Sequence, residues 1–337
     1  ELPVAGVQVS VKDKPQFGIS YTRPDGRYDM AVNGGGTLIF EFKKTGFLPV
    51  QRKIPVNWLE RGNAGRVVLK TLDNVSLEVE QGLFVPQFGP VSSVNVDSSP
   101  ERQVNLFIPA ETNAYMLMPY KDIHGNDYIE EFTRPMVIRS TEYTVGDLVP
   151  EAMPAELPVF TAYTYSTEQT VDEALEKGAK SVIFDKTVYR YVDNFLNFKV
   201  GEAVPTGYYD FASARWIADK NGRVIKILGI SYDGLAQIDI YGTGTEANQS
   251  ELEMLGFSED ELFALAQLYP EPDTEIWRIP MTHFTATDEN PASRIDGDGT
   301  NHSSLDQTES PDDPCGKPGN STIICESQVL GETIPID

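Results

Sequence analysis

The sequence is poor in the residues that most often build catalytic and metal centres. Its 337 residues include two cysteines and three histidines. Two cysteines are too few for a disulfide scaffold or for a four-cysteine zinc site. His124, His283 and His302 lie far apart, and none belongs to an HExxH or His-x-His pattern. No Gly-x-Ser-x-Gly elbow or Walker loop occurs, so we predict that the protein is not an enzyme.

Basic residues are also scarce, because 27 Lys and Arg stand against 51 Asp and Glu, a net charge of −24. Nucleic acids and anionic lipids are bound chiefly through Lys and Arg, so neither partner is predicted. The acidity is typical of proteins in a secreted or salt-exposed setting, and we expect a secreted or cell-surface location. No apolar run reaches the roughly 18–20 residues of a membrane helix, and no signal-peptide pattern opens the sequence.

Residues 1–72 have the pattern of a small all-β domain. Apolar residues alternate with polar ones through Val7–Val11, and Asn33-Gly34-Gly35-Gly36 supplies residues that tolerate positive φ in a hairpin. Turn signals recur at short intervals, which predicts a β-sandwich. The motifs Gly-x-x-Val-x-Val, Thr-Arg-Pro-Asp-Gly-Arg-Tyr and Lys-Thr-Gly-Phe resemble the carboxypeptidase regulatory-like, or transthyretin-like, module. That resemblance implies a non-catalytic domain that braces its neighbours.

Residues 73–287 continue as mainly β, with proline-rich spacers that are typical of loops between strands. Two capping boxes predict two short helices. The first is Thr170-Val171-Asp172-Glu173, ended by Gly178, and the second is Ser258-Glu259-Asp260-Glu261, ended by Pro270.

Residues 288–313 change character, because eight acidic side chains face a single basic one, Arg294. Such a segment buries too little apolar surface to order itself, so it predicts an acidic linker or tether. Residues 314–337 follow with two short β-type runs and both cysteines. Cys315 and Cys325 lie ten positions apart across a Pro-Gly turn, which suits facing positions on a hairpin. Whether they are bonded or reduced stays open; a bond would contribute about 2–3 kcal/mol.

The C-terminal pattern carries a second resemblance. A cysteine, a Gly/Pro turn, Ile-Ile-Cys and then Gln-Val-Leu-Gly-Glu-Thr-Ile-Pro-Ile is similar to the region before the shell of bacterial RHS/YD-repeat proteins. Residues 191–198 and 204–210 look like the pre-repeat region of the same family, although no YD repeat is present here. The resemblance extends to the related teneurins. It implies a transthyretin-like β-sandwich, a fibronectin- or immunoglobulin-like plug domain with two short helices, and an acidic tether.

In the resembled family, a plug of this kind closes one end of a hollow β-shell, and in bacterial members the shell encloses a toxic C-terminal domain. The resemblance therefore implies a non-enzymatic structural role. Residues 314–337 would be the first strands that lead into a downstream YD-repeat shell of the same polypeptide. The predicted shell contacts, each of which has ordinary core packing as its alternative, are Tyr191, Phe195, Phe198, Tyr208, Tyr209, Val329, Leu330 and Ile334.

Two other functions stay open. A cell-surface adhesin or carbohydrate-binding module, with a protein or glycan ligand, would need an aromatic platform on one sheet face. The candidates for that platform are Tyr163, Tyr165, Tyr208, Tyr209 and Trp216. A hydrolase with a carboxylate pair is the third hypothesis, because acidic residues abound.

We expect no cofactor, with calcium as the open alternative at two places. Asp239 and Gly244 fit positions 1 and 6 of an EF-type loop, but Tyr241, Thr243 and Ser250 occupy positions that should carry ligands. The second place is the acidic cluster of Asp296 and Asp298, which has too few spaced ligands for a known loop.

Overall fold

The computed structural model describes residues 2–97, 99–143 and 165–289. These residues form three antiparallel β-sheets and three short α-helices, which confirms the mainly β class. The strands of the N-terminal domain are β1 (Gln8–Val11), β2 (Ile19–Tyr21), β3 (Gly36–Lys43) and β4 (Val50–Val56).

The strands that follow are β5 (Leu77–Val79), β6 (Gln87–Pro90), β7 (Val104–Ile108), β8 (Ala114–Lys121), β9 (Asp127–Glu131), β10 (Met136–Tyr143), β11 (Tyr165–Val171), β12 (Ser181–Asp193), β13 (Ala203–Val204), β14 (Thr206–Asp210), β15 (Arg215–Ala218), β16 (Gly222–Ile230), β17 (Ala236–Asp239), β18 (Thr274–Phe284) and β19 (Ala286–Glu289). The helices are α1 (Asp172–Lys177), α2 (Gln249–Met254) and α3 (Glu259–Leu268). No helix in the described part of the chain has the length and apolarity to cross a membrane.

The N-terminal domain is built on one four-stranded sheet in the order β2-β1-β3-β4. Its apolar face is formed by alternate residues of the strands, such as Val9, Phe42 and Ile54. Residues 28–32 and 66–69, which contain apolar side chains, are not strands in the structure. They are irregular segments whose side chains pack on this face, as when the Tyr28 ring meets Phe42 edge-on at 5.6 Å.

The rest of the described chain is a sandwich of two larger sheets. The six-stranded sheet has the order β15-β14-β19-β11-β10-β5. The nine-stranded sheet follows β13-β16-β18-β12-β7-β6, with β17 beside β16, β8 beside β12 and β9 beside β8. Buried side chains from both sheets, among them Leu106, Ile138, Tyr165 and Trp277, form the core between them.

Both outer faces of the sandwich are covered in part. Helices α2 and α3 lie on the nine-stranded sheet, where Leu265 joins a cluster with Ile225 and Ile276. The N-terminal domain lies on the six-stranded sheet, where Leu48 joins Tyr143. The layers therefore run from the N-terminal domain through the two sheets to the helices.

Two helix starts differ from the predicted ones. Helix α1 begins after Val171, which has no side-chain cap, because Thr170 lies in strand β11. Helix α2 was not predicted, although Asn248 and Glu251 form a capping box of the same kind at 3.1 and 2.8 Å. Helix α3 begins as predicted, with the Ser258 hydroxyl accepting from the Glu261 amide at 3.1 Å.

Strand β19 lies in the middle of its sheet, between β11 and β14. Asp288 and Glu289, the first two residues of the predicted linker, belong to this strand and are fully buried. Local composition marked them as linker, but pairing with strands distant in sequence orders them. The remaining linker, residues 290–313, and the predicted shell strands, residues 314–337, lie outside the described residues.

Candidate functional site

The buried contact between the N-terminal domain and the six-stranded sheet is the first candidate site. Leu48, fully buried, packs with Tyr143, Tyr209 and Trp216. The Tyr209 hydroxyl donates to Gln51 Oε1 at 2.8 Å, and the Gln51 amide donates to the carbonyl of Phe211 at 3.2 Å. Apolar and polar contacts together thus fix the N-terminal domain on the second domain.

This contact opens on one side into a cleft of about 410 Å³ between the two domains. Glu168 of β11 lines the cleft and is only 5% exposed. The Tyr143 hydroxyl donates a short hydrogen bond to its Oε2. Burial raises the pKa of Glu168 to about 7, because the fold removes water from the charged form, and the Tyr143 bond offsets only part of this effect.

A second polar cluster lies inside the sandwich, around Arg190. Its guanidinium forms an ion pair with Glu289, and both side chains are fully buried. The same guanidinium donates to the hydroxyl of Thr287 at 2.6 Å. Burial raises the pKa of Glu289, and the charge of Arg190 acts in the opposite direction. The neighbouring Asp288 carboxylate has no hydrogen-bond partner among the described residues, and burial raises its pKa well above the ordinary value.

Two further buried arginines connect distant segments. Arg102 pairs with Asp97 at 2.8 Å and with Glu142, and its guanidinium lies 4.9 Å from the ring centre of Phe195. Arg278 of β18 pairs with Glu261 of α3 at 2.6 Å. Each guanidinium lies between a carboxylate and an aromatic ring, so these charges brace the fold.

The structure places three predicted shell contacts in the core. Tyr191, Phe195 and Tyr209 are 0%, 4% and 1% exposed. Tyr191 donates to the Glu261 carboxylate at 2.6 Å, so even its hydroxyl is used inside. Side chains enclosed in this way have no surface to offer a separate shell. At these three positions the structure shows core packing, which was the alternative to a shell contact.

The other predicted contacts have mixed positions. Phe198 and Tyr208 are partly buried, with the Phe198 ring 5.6 Å from Trp277 and the Tyr208 ring edge-on to His283 at 4.5 Å. The remaining candidates lie outside the described residues: Val329, Leu330, Ile334 and the two cysteines, Cys315 and Cys325.

Among the described residues, the aromatic platform needed by the glycan-binding hypothesis does not form on an open face. Tyr165 and Trp216 are 0% and 4% exposed, and Tyr209 lies beneath the N-terminal domain. Tyr163 lies outside the described residues. Tyr165 packs inside the sandwich, whereas Tyr209 and Trp216 pack at the domain contact, so these three rings do not share one face.

The Asp239 turn uses its carboxylate for the backbone. Oδ1 accepts from the amides of Tyr241 and Gly242 at 2.9 and 2.8 Å, and Oδ2 accepts from the Gly244 amide at 2.7 Å. Burial opposes ionisation, but these bonds outweigh it and hold the pKa of Asp239 below its ordinary value. Across 2–97, 99–143 and 165–289, no three His, Cys, Asp or Glu side chains gather as metal ligands. Asp296 and Asp298 fall outside those ranges.

The hairpin of β8 and β9 is an exposed apolar feature that sequence reasoning did not single out. The rings of Tyr120 and Tyr128 stack at 5.3 Å on its surface, and Ile123 at the turn is 95% exposed. Ile129 adds a further half-exposed side chain. The sequence feature that could have predicted it is the presence of apolar residues on both strands beside the Asp122–Gly125 turn, because some apolar side chains of such a hairpin stay exposed.

Comparison with known proteins classifies the N-terminal domain. Residues 1–69 match the family model described as the teneurin TTR-like domain. Teneurin-m of Drosophila melanogaster is 37% identical over 82 residues, 24% of this chain and 3% of that protein. Teneurin-3 of Danio rerio and Teneurin-4 of Homo sapiens are 38% and 32% identical over 56 residues, 17% of this chain and 2% of each relative.

The first domain is therefore a transthyretin-like domain of the teneurin type. Over this N-terminal segment the chain is similar to teneurins, and the transthyretin-like domain that the sequence motifs predicted is confirmed there. The matched segments span only 2–3% of the length of these relatives.

Proposed function

We propose that this chain is a non-enzymatic plug region of an RHS/YD-repeat protein at the cell surface or outside the cell. It closes a hollow β-shell formed by the polypeptide downstream of residue 337. In bacterial relatives a shell of this kind encloses a C-terminal toxin. The observation that carries the proposal is the teneurin TTR-like domain at residues 1–69, fixed by a buried contact to a large β-sandwich.

The position of β19 supports an anchoring role. Because it lies between β11 and β14, the chain leaves the described fold from the centre of a sheet. Its side chains Asp288 and Glu289 are enclosed, and Glu289 is tied to Arg190 of the opposite sheet. A tether that begins after β19 is attached to a strand that is paired on both sides and that carries a buried ion pair. The sandwich can therefore anchor the first strands of a downstream shell.

The exposed apolar hairpin supplies a contact surface for the plug. Tyr120, Ile123, Tyr128 and Ile129 are 51%, 95%, 40% and 47% exposed, so they present apolar area to solvent. Burial of such area is favourable at about 25 cal/mol per Å², so an adjacent shell rim would stabilise the closed arrangement. In this proposal the hairpin contacts the shell, and the enclosed residues Tyr191, Phe195 and Tyr209 do not.

The first test is the coding sequence beyond Asp337. Repeated Tyr-Asp units there support the proposal, and a stop codon or an unrelated stalk overturns it.

The second test cuts the parent protein at a protease site inserted between Thr300 and Asn301. After cleavage, the plug and shell should still co-elute in size-exclusion chromatography. Ile123→Asp with Tyr128→Asp should release the plug, whereas Tyr232→Asp, an exposed tyrosine on another turn, should not.

A further inference from the structure

We propose that the cleft between the N-terminal domain and the six-stranded sheet binds a small aliphatic primary amine, with the Glu168 carboxylate as its counter-ion. This site is independent of the proposed plug role.

The cleft has the size and the walls of a small-molecule site. Its volume of about 410 Å³ falls in the usual range of roughly 300–1,000 Å³. Pro49 contributes an apolar wall from the N-terminal domain, and Phe211 and Phe284 contribute apolar walls from the second domain. An aliphatic stem of a few carbons would therefore lie against apolar side chains that come from both domains.

Glu168 gives the cleft a buried acceptor without a counter-charge. Tyr143 is its hydrogen-bond partner, and no Lys or Arg of the described chain forms an ion pair with it. A buried carboxylate is costly to ionise when it is unpaired, and an ammonium group is the partner that removes this cost. The net charge of −24 also favours a cation over an anion in the approach from solvent.

Thr170 is a second, independent observation. It lies two residues after Glu168 on β11, so both side chains project from the same face of the strand, and both line the cleft. Thr170 is 4% exposed, and its hydroxyl has no hydrogen-bond partner among the described residues. An ammonium group carries three donors, so it can bond to the carboxylate and to this hydroxyl together.

The lysines at the rim do not prevent this use of the cleft. Lys12 pairs with Asp13 at 2.9 Å, and Lys43 pairs with Glu41 at 3.3 Å. Lys180, the third lysine of the lining, lies within electrostatic reach of Asp127. Glu168 is thus the carboxylate of the lining that remains for a ligand.

The test is calorimetric titration of the 337-residue chain at neutral pH with n-pentylamine, n-pentanol and pentanoate. The amine should bind at least about tenfold more tightly than the alcohol, and pentanoate should not bind. Glu168→Gln should weaken amine binding at least about tenfold and should change alcohol binding by a much smaller factor, because the alcohol forms no ion pair. Thr170→Val should weaken it by a smaller factor. The exposed control Asp233→Asn should bind like the parent chain.

Proton release gives a readout that a merely structural effect would not change. Amine binding should expel the proton from Glu168, and the buffer takes up this proton. The apparent binding enthalpy of the parent chain should therefore depend on the ionisation enthalpy of the buffer, whereas that of Glu168→Gln should not. Equal affinity for amine and alcohol, an unchanged Glu168→Gln variant, or no binding up to about 10 mM overturns the proposal. Nα-acetyl-lysine amide tests whether the bound ammonium group comes from a lysine side chain or from a free amine. Binding as tight as that of pentylamine indicates a lysine side chain, and weaker binding indicates a free amine. Either result supports the site.

Discussion

Several carboxylates of the six-stranded sheet are buried where their charge is poorly compensated. Among the described residues, Glu168 accepts a hydrogen bond only from the Tyr143 hydroxyl, and Asp288 has no hydrogen-bond partner. Glu289 is paired with Arg190 through one of its two oxygens. Burial raises the pKa in each case, so these groups couple the stability of the fold to pH.

Glu168→Gln should flatten part of that pH dependence. The folded pKa of Glu168 is about 7 against an ordinary value of 4.5, so the unfolded chain loses the proton first as pH rises. The free energy of unfolding therefore falls across this window, by at most about 3 kcal/mol for this group. Urea denaturation at pH 5 and pH 8 should show a smaller difference for the variant. An identical pH dependence in both proteins would contradict the assignment.

Arg190→Met should destabilise the chain strongly, because it leaves Glu289 buried without its partner. We expect a loss of about 3–5 kcal/mol in the free energy of unfolding, measured in urea. The matched control is the double variant Arg190→Met with Glu289→Leu, which removes both charges and should recover most of the loss. If the double variant is no more stable than the single one, packing rather than charge explains the effect.

At the scale of elements, the turn after β17 depends on one carboxylate. Asp239 accepts three backbone amides, and Gly242 approaches the carbonyl of Val200 so closely that a Cβ atom would lie 2.7 Å from that oxygen. The turn is therefore specified by local hydrogen bonds and by a glycine that no larger residue can replace without a shift.

Asp239→Ala should cost about 1–3 kcal/mol, because three partly buried amides lose their acceptor. Thermal unfolding measures the loss, with Asp233→Ala on an exposed turn as the control that should change little. The loss should be the same with calcium and with a chelator. A calcium-dependent increase in melting temperature that disappears in Asp239→Ala would instead indicate a metal loop at this turn.

At the scale of the whole molecule, the contact around Leu48 determines whether the domains unfold together. Leu48 is fully buried against the six-stranded sheet. Leu48→Ala should cost about 2–5 kcal/mol and should separate the unfolding of the two domains. Tryptophan fluorescence and circular dichroism should then give different midpoints in urea.

Leu2→Ala is the matched control for that variant, because Leu2 is 88% exposed and its truncation should cost less than about 0.5 kcal/mol. Coincident transitions in Leu48→Ala, together with an unchanged midpoint, would show that the domain contact adds no cooperativity.

Local patterns in the sequence determined a large part of this protein. Alternation predicted the β class, and the motifs of residues 1–72 predicted the transthyretin-like domain that the comparison confirms. Ser258 marked the start of α3, and Gly178, in the left-handed conformation at φ 69°, marked the end of α1. Such features depend on a few neighbouring residues, so the local sequence specifies them whatever the tertiary structure around them.

Only the tertiary structure decided which side chains are enclosed. Tyr191, Tyr209 and Trp216 resemble surface aromatics in sequence but are covered by segments far away in the chain. Asp288 and Glu289 have the composition of a linker, yet pairing of β19 with β11 and β14 places them in a sheet. The cleft beside Glu168 also needs both domains. Long-range pairing and packing determine burial, and no local pattern of residues contains that information.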